Sequence, residues 1–212
     1  GIIVPNPSNS SRYFVFTVDA QGGAGGLRWS EVDLTLNGGF GDVVDATKNT
    51  VLLAQSVEKI AAVRHGDGVN YWVIGHGYNN NNYYAYLIDC DGVNEPIVSS
   101  VGQVEGNPGW GYMTVSPDGS QLASAMRDPG FELLDFDALE GVVSNPLLLF
   151  DPGSGCYGVS FSPSGGVLYG GNIQTGHLYQ WNLNAGSDSD IIDSMLLLAT
   201  LEGTGSPYRG GA

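Results

Sequence analysis

A strand that runs into a tight turn is written twice, almost unchanged: Gly111-Tyr112-Met113-Thr114-Val115-Ser116-Pro117-Asp118-Gly119 and Tyr157-Gly158-Val159-Ser160-Phe161-Ser162-Pro163-Ser164-Gly165. A second signature follows at matching offsets in four places: Asp33-Leu34-Thr35, Asp89-Cys90-Asp91, Asp135-Phe136-Asp137 and Asn182-Leu183-Asn184. Each copy comes after an apolar residue (Val32, Ile88, Leu134, Trp181) and leads towards a glycine-containing loop. Short strands that recur every ~50 residues cannot bury their faces singly, and stacking radially repeated sheets solves that problem. The fold class expected is therefore all-β: a β-propeller of four-stranded antiparallel blades.

Turn signals and β-branched or aromatic runs divide residues 1–212 into a single arc with blades at about 1–54, 59–101, 111–150 and 157–201. Its inner-strand turns line up as Pro5-Asn6-Pro7-Ser8, His65-Gly66-Asp67-Gly68, Pro117-Asp118-Gly119 and Pro163-Ser164-Gly165. Residues 207–212 read as the start of a further inner strand, so the arc is expected to be part of a larger propeller. Exposed terminal blades then suggest self-association. No helix is needed; the apolar run Ile191–Leu201 is read as an outer strand, and Asp188–Asp193 before it as a solvated loop.

Net charge is −15, with seven lysines and arginines against 22 acids. Nucleic acid and anionic membrane surfaces both demand a basic patch, and neither is expected as a partner. Acidity of this kind serves solubility, or else a cationic or metal-rich partner. No apolar run approaches the ~20 residues of a membrane-spanning helix. The two cysteines, Cys90 and Cys156, have no metal-ligand or redox spacing, and with a blade between them they are not expected to be bridged. No cofactor and no metal site is expected.

The histidines are the first candidates for metal ligands. His65 and His76 fall at opposite ends of adjacent antiparallel strands, roughly 20 Å apart, too far to share an ion. His76 and His177 share a face but stand two blades apart. Asp188-Ser189-Asp190 lacks the glycine and the twelfth-position glutamate of a calcium loop. Gly22-Gly23-Ala24-Gly25-Gly26 opens no helix and cradles no phosphate. The most distinctive stretch is Tyr78-Asn79-Asn80-Asn81-Asn82-Tyr83-Tyr84. Amides between aromatic platforms suit contact with a protein or a carbohydrate, although asparagine also favours plain turns. The candidate ligand-binding set is His76, Tyr78, Asn79, Asn80, Asn81, Asn82 and Trp110; no catalytic residue is expected.

Gly1-Ile2-Ile3-Val4-Pro5, Tyr13–Ala20, Gly26-Leu27-Arg28-Trp29-Ser30, Asn37–Val43, Glu58–His65 and Tyr71–Gly77 follow one another in an order and spacing that resembles the propeller region of large secreted Bacteroidetes proteins. Those proteins bear a C-terminal sorting domain of the type IX secretion, gliding motility-associated kind. Trp181-Asn182 is loosely similar to WD-type repeats. The resemblance implies an extracellular or cell-surface location; the favoured reading is a non-enzymatic interaction module, in which rigid blades carry loops that bind on one propeller face. The alternative is a lactonase-like propeller hydrolase with its site in the central channel, for which Arg127, Asp128 and Arg209 are candidates.

Overall fold

The computed structural model describes residues 1–106 and 109–201, and its strands form four separate antiparallel sheets in chain order. Blade one holds β1 (Ile2–Pro5), β2 (Arg12–Val18), β3 (Leu27–Asp33), β4 (Asp42–Val43) and β5 (Thr50–Leu53). Blade two holds β6 (Ser56–Arg64), β7 (Tyr71–Gly77), β8 (Asn80–Asp89) and β9 (Gly92–Glu105). Blade three runs β10 (Met113–Val115), β11 (Gln121–Met126), β12 (Gly130–Asp137) and β13 (Val142–Phe150). Blade four runs β14 (Cys156–Phe161), β15 (Val167–Asn172), β16 (His177–Asn182) and β17 (Leu196–Thr200), with the short helix α1 (Asp188–Asp193) before its last strand. Each of blades two to four is a four-stranded meander, and in blade one the short β4 and β5 both pair with β3. The fold is a β-propeller arc of four blades.

The recurring acids and amides hold the turns. Oδ1 of Asp33, Asp89 and Asn182 accepts the backbone N–H two residues on, from Thr35, Asp91 and Asn184. Such side-chain turns compete well with a longer ladder, and so they end strands. The third copy departs from the pattern: Asp135 keeps the equivalent register, but Asp137 accepts from Leu139 and Glu140. At the same end of the sheets Asn6, Asp67 and Asp118 close the first turn of blades one to three in the same way.

Blades pack face to face through one repeated device. A large residue first or second in the paired part of the third strand recurs at Leu27, Tyr83, Phe131 and Leu178, and the first three reach the next blade. Facing them in the next blade are small residues, Gly75, Ser124 and Gly170. A Cβ at Gly75 would sit 3.0 Å from the Leu27 side chain, and one at Gly170 would sit 2.7 Å from the Phe131 ring. Around these contacts lie three cores: Phe14 and Phe16 with Val73 and Ile88, Ile74 and Ala85 with Leu122 and Phe136, and Leu133 with Leu168 and Trp181. Leu178 is the fourth member of the series, on the outer face of blade four.

Two expectations are corrected. Asp188–Asp193 is helical, because Ser187 caps it and Asp190 returns a bond to the Ser187 N–H while Ile191 reaches the core between blades three and four. The strand resumes only at Leu196. Asn80, Asn81 and Asn82 belong to β8, so the tyrosine–asparagine stretch is mainly strand, with a tight turn at Tyr78-Asn79 and Asn79 at φ 59°. The further inner strand expected at 207–212 lies outside the described residues.

Candidate functional site

The inner edges of the four blades enclose a cavity of about 250 Å³ lined by Gly1, Val18, Glu58, Lys59, Ile60, Gly111, Tyr112, Met113 and Tyr157. Glu58 reaches it from β6 and accepts the Gln21 N–H of blade one at 3.1 Å, while its own N–H bonds to the Gly109 carbonyl. The rings of Tyr112 and Tyr157 meet edge to face, 5.3 Å between centroids, and the Tyr112 N–H donates to the Tyr157 carbonyl across the two blades. Burial, with the Glu58 carboxylate and Tyr112 nearby, raises the Tyr157 hydroxyl above its ordinary value. It therefore stays protonated at neutral pH, a donor in the cavity that also holds the Glu58 carboxylate. Gly111, at φ 137°, has room only for hydrogen: a Cβ there would lie 1.8 Å from the Ala125 carbonyl oxygen.

Behind the cavity wall lies a buried polar cluster between blades two and three. The Lys59 ammonium pairs with Glu105 at 2.7 Å and donates to Ser124 Oγ and the Ala125 carbonyl. Burial pulls Lys59 down and pushes Glu105 up, each opposed by the partner's charge. Glu132, from blade three, accepts the Gln103 N–H and the Tyr83 hydroxyl. Burial is the main cause that pushes its carboxyl up to about 7. His76 is fully buried, and burial, then the nearby Lys59, depress it to about 3. Strongly perturbed groups gathered beside a concave surface are the usual mark of a functional region.

The structure brings together part of the residue set singled out from sequence. Tyr78 packs against the Gly22 loop of blade one and against Gly109, so it stands beside the linker that carries Trp110. The Trp110 ring is covered by the Arg127 guanidinium at 5.1 Å. His76 does not reach solvent: its Nδ1 contacts the Gly77 carbonyl and its ring abuts Tyr83. Asn79 is exposed, and its N–H donates to the Glu105 carbonyl. Asn80 spends its amide on the Tyr78 carbonyl and the Asn82 N–H, while Asn82 accepts from Ser100. Asn81 is half-buried in β8. Of the channel candidates, Arg127 is half-buried on Trp110, Asp128 is exposed, and Arg209 lies outside the described residues. Cys90 and Cys156 are both free thiols. Among the described residues, Asp89, Cys90 and Asp91 form one compact group of potential metal ligands, at an exposed turn whose hydrogen bond already employs Asp89.

No family model matches the sequence, and no curated protein matches it. Solved structures do. A Bacteroides fragilis protein described as a candidate 6-phosphogluconolactonase superposes with a TM-score of 0.62 at 12% identity, covering 94% of this chain and 55% of its own. The periplasmic gluconolactonase of Pseudomonas aeruginosa gives a TM-score of 0.58 at 15% identity over 88% of this chain and 55% of its own. The β-propeller domain of Cps50 (Swd1) from Myceliophthora thermophila gives 0.52 at 15%, with 95% and 59% covered. The chain thus spans a little over half the length of each. Likeness at this identity shows the propeller fold. The WD-type side of the sequence resemblance is met by the Cps50 propeller, while the sorting-domain side has no counterpart in these comparisons. The expectation of a non-enzyme is corrected: two of these neighbours carry lactonase names, so the architecture is one on which hydrolases are built.

Proposed function

We propose that this arc forms part of a lactonase-type hydrolase site, with the axial cavity holding a neutral sugar lactone. The observation that carries the reading is the presence, in one cavity at the inner edge of the blades, of the Glu58 carboxylate and the protonated Tyr157 hydroxyl. Hydrolysis of a ring ester needs a base for water and a donor for the oxygen that turns negative. Glu58 takes the proton of the attacking water, whose oxygen bonds to the ester carbon. The Tyr157 hydroxyl hydrogen-bonds the developing oxyanion. The ring C–O bond then breaks, and the proton held by Glu58 passes to the departing ring oxygen, leaving an open-chain hydroxy acid.

Electrostatics favour an uncharged substrate. The chain's net charge of −15 repels phosphate. Lys59, the cation of the cavity wall, has its ammonium committed to Glu105, Ser124 and Ala125. Tyr112 and Tyr157, in the cavity lining, offer aromatic rings of the kind sugars pack on.

A pH-stat assay with δ-gluconolactone and its 6-phosphorylated counterpart tests this. The purified protein is expected to hydrolyse the neutral lactone well above the buffer rate, and the phosphorylated one less efficiently. No acceleration of either lactone would refute the reading; preference for the phosphorylated one would refute its electrostatic part.

A further inference from the structure

The seam between blades two and three is bridged in both directions by buried ionisable side chains. Lys59 leaves β6 of blade two and ends on Ser124 Oγ and the Ala125 carbonyl of blade three. Glu132 leaves β12 of blade three and ends on the Gln103 N–H and the Tyr83 hydroxyl of blade two. The backbone is shaped for the second crossing. At Gly102 (φ 76°) a Cβ would stand 2.6 and 2.7 Å from the two Glu132 carboxyl oxygens, so any side chain there would expel the carboxyl.

Charges in this seam do not balance. The charged and titratable groups that act on Glu132 are Lys59 from β6, Tyr83 from β8 and Glu105 at the end of β9; Ser124 from β11 of its own blade bonds to Lys59, and His76 from β7 abuts Tyr83. His76 is neutral, being held down to about 3, and Tyr83 is raised well above its ordinary value. One ammonium therefore stands among two carboxyl groups, and it lies 2.7 Å from Glu105. A second buried carboxylate without its own counter-ion is costly, and the cheaper state is the neutral acid. A neutral Glu132 still accepts the Gln103 N–H through one oxygen, and its O–H can donate to the Tyr83 oxygen.

We propose that Glu132 is a protonated carboxylic acid that latches blade three to blade two, and that its ionisation loosens this seam behind the axial cavity. The raised carboxyl agrees with the geometry, and the sign follows from linkage. With the folded value near 7 and the unfolded value near 4.5, the folded state holds one more proton in that window. The stabilisation from the latch is complete at the acid end of the window and is lost as pH rises towards 7.

The test is infrared spectroscopy of the intact chain combined with urea unfolding of the chain and Glu132→Gln, which keeps the shape and the acceptor for Gln103. At pH 6, where exposed carboxylates are ionised, a carboxylic C=O band is expected in the parent, disappearing with a midpoint near 7 and absent from the variant. The ratio of the two unfolding constants is expected to shift against the parent by roughly tenfold per pH unit between about 4.5 and 7. Absence of the band from the parent overturns the proposal even if the variant does not fold. A band that persists in Glu132→Gln assigns the proton to Glu105 and overturns it as well, as does a ratio that stays constant with pH.

Discussion

Lys59→Met isolates the most consequential interaction in the arc. Methionine fills most of the lysine stem's volume but removes the ammonium, leaving Glu105 buried without its 2.7 Å partner and Ser124 Oγ and the Ala125 carbonyl without their donor. Removing one member of a buried pair typically costs about 3–5 kcal/mol, chiefly through the abandoned charge. Against a total stability of about 5–15 kcal/mol, that is a large fraction. Urea denaturation at pH 7 followed by tryptophan fluorescence measures it, with an unchanged slope expected if the native state stays compact. Lys59→Met/Glu105→Leu removes both charges and should return to within about 1–2 kcal/mol of the parent, because hydrophobic replacement of a buried pair is often near neutral. The single variant's deficit should also shrink as pH falls towards 5, since an unpaired Glu105, already raised by burial, takes up a proton. A single-variant loss below about 1 kcal/mol, or a double variant less stable than the single, would refute the claim that the pair is a desolvated unit.

Three further outcomes are expected. Gly170→Leu drives a side chain into the Phe131 ring, already 2.7 Å from a bare Cβ, and should cost at least about 1–3 kcal/mol of unfolding free energy in the same denaturation experiment. His76, depressed to about 3, keeps the folded state short of a proton below its unfolded value. Its contribution is present above about pH 6.5 and lost by roughly tenfold per pH unit in the unfolding constant towards pH 3, and His76→Asn should flatten that acid limb. Cys90 is exposed and should react with a thiol reagent in the folded chain, whereas Cys156, buried and with its thiol pushed up, should react only after denaturation.

The fold was legible because its signals are local. Pro117-Asp118-Gly119 and the Asp33, Asp89 and Asn182 turns act within two or three residues, so the sequence displays them directly. The helix at Asp188–Asp193 is less legible, although Ser187 and Asp190 write a cap, because the apolar run beyond it carries a strand signal. The site was far less visible. Glu58, Tyr112 and Tyr157 meet only when three blades close on the axis, and nothing in their spacing announces it. One signal was available for the buried cluster: Glu132 sits in Gly130-Phe131-Glu132-Leu133-Leu134, an apolar strand, where a charged residue needs a reason. His76 and the asparagines stand out by composition, but their side chains mostly serve the turn and ladder of blade two.

The most direct measurement is the rate of δ-gluconolactone hydrolysis by the parent and by Glu58→Gln, compared at equal folded concentration. Loss of a general base should lower kcat by about 10²–10⁴-fold while leaving the fold, read by the far-ultraviolet spectrum, unchanged. A variant as active as the parent would contradict the axial-cavity account.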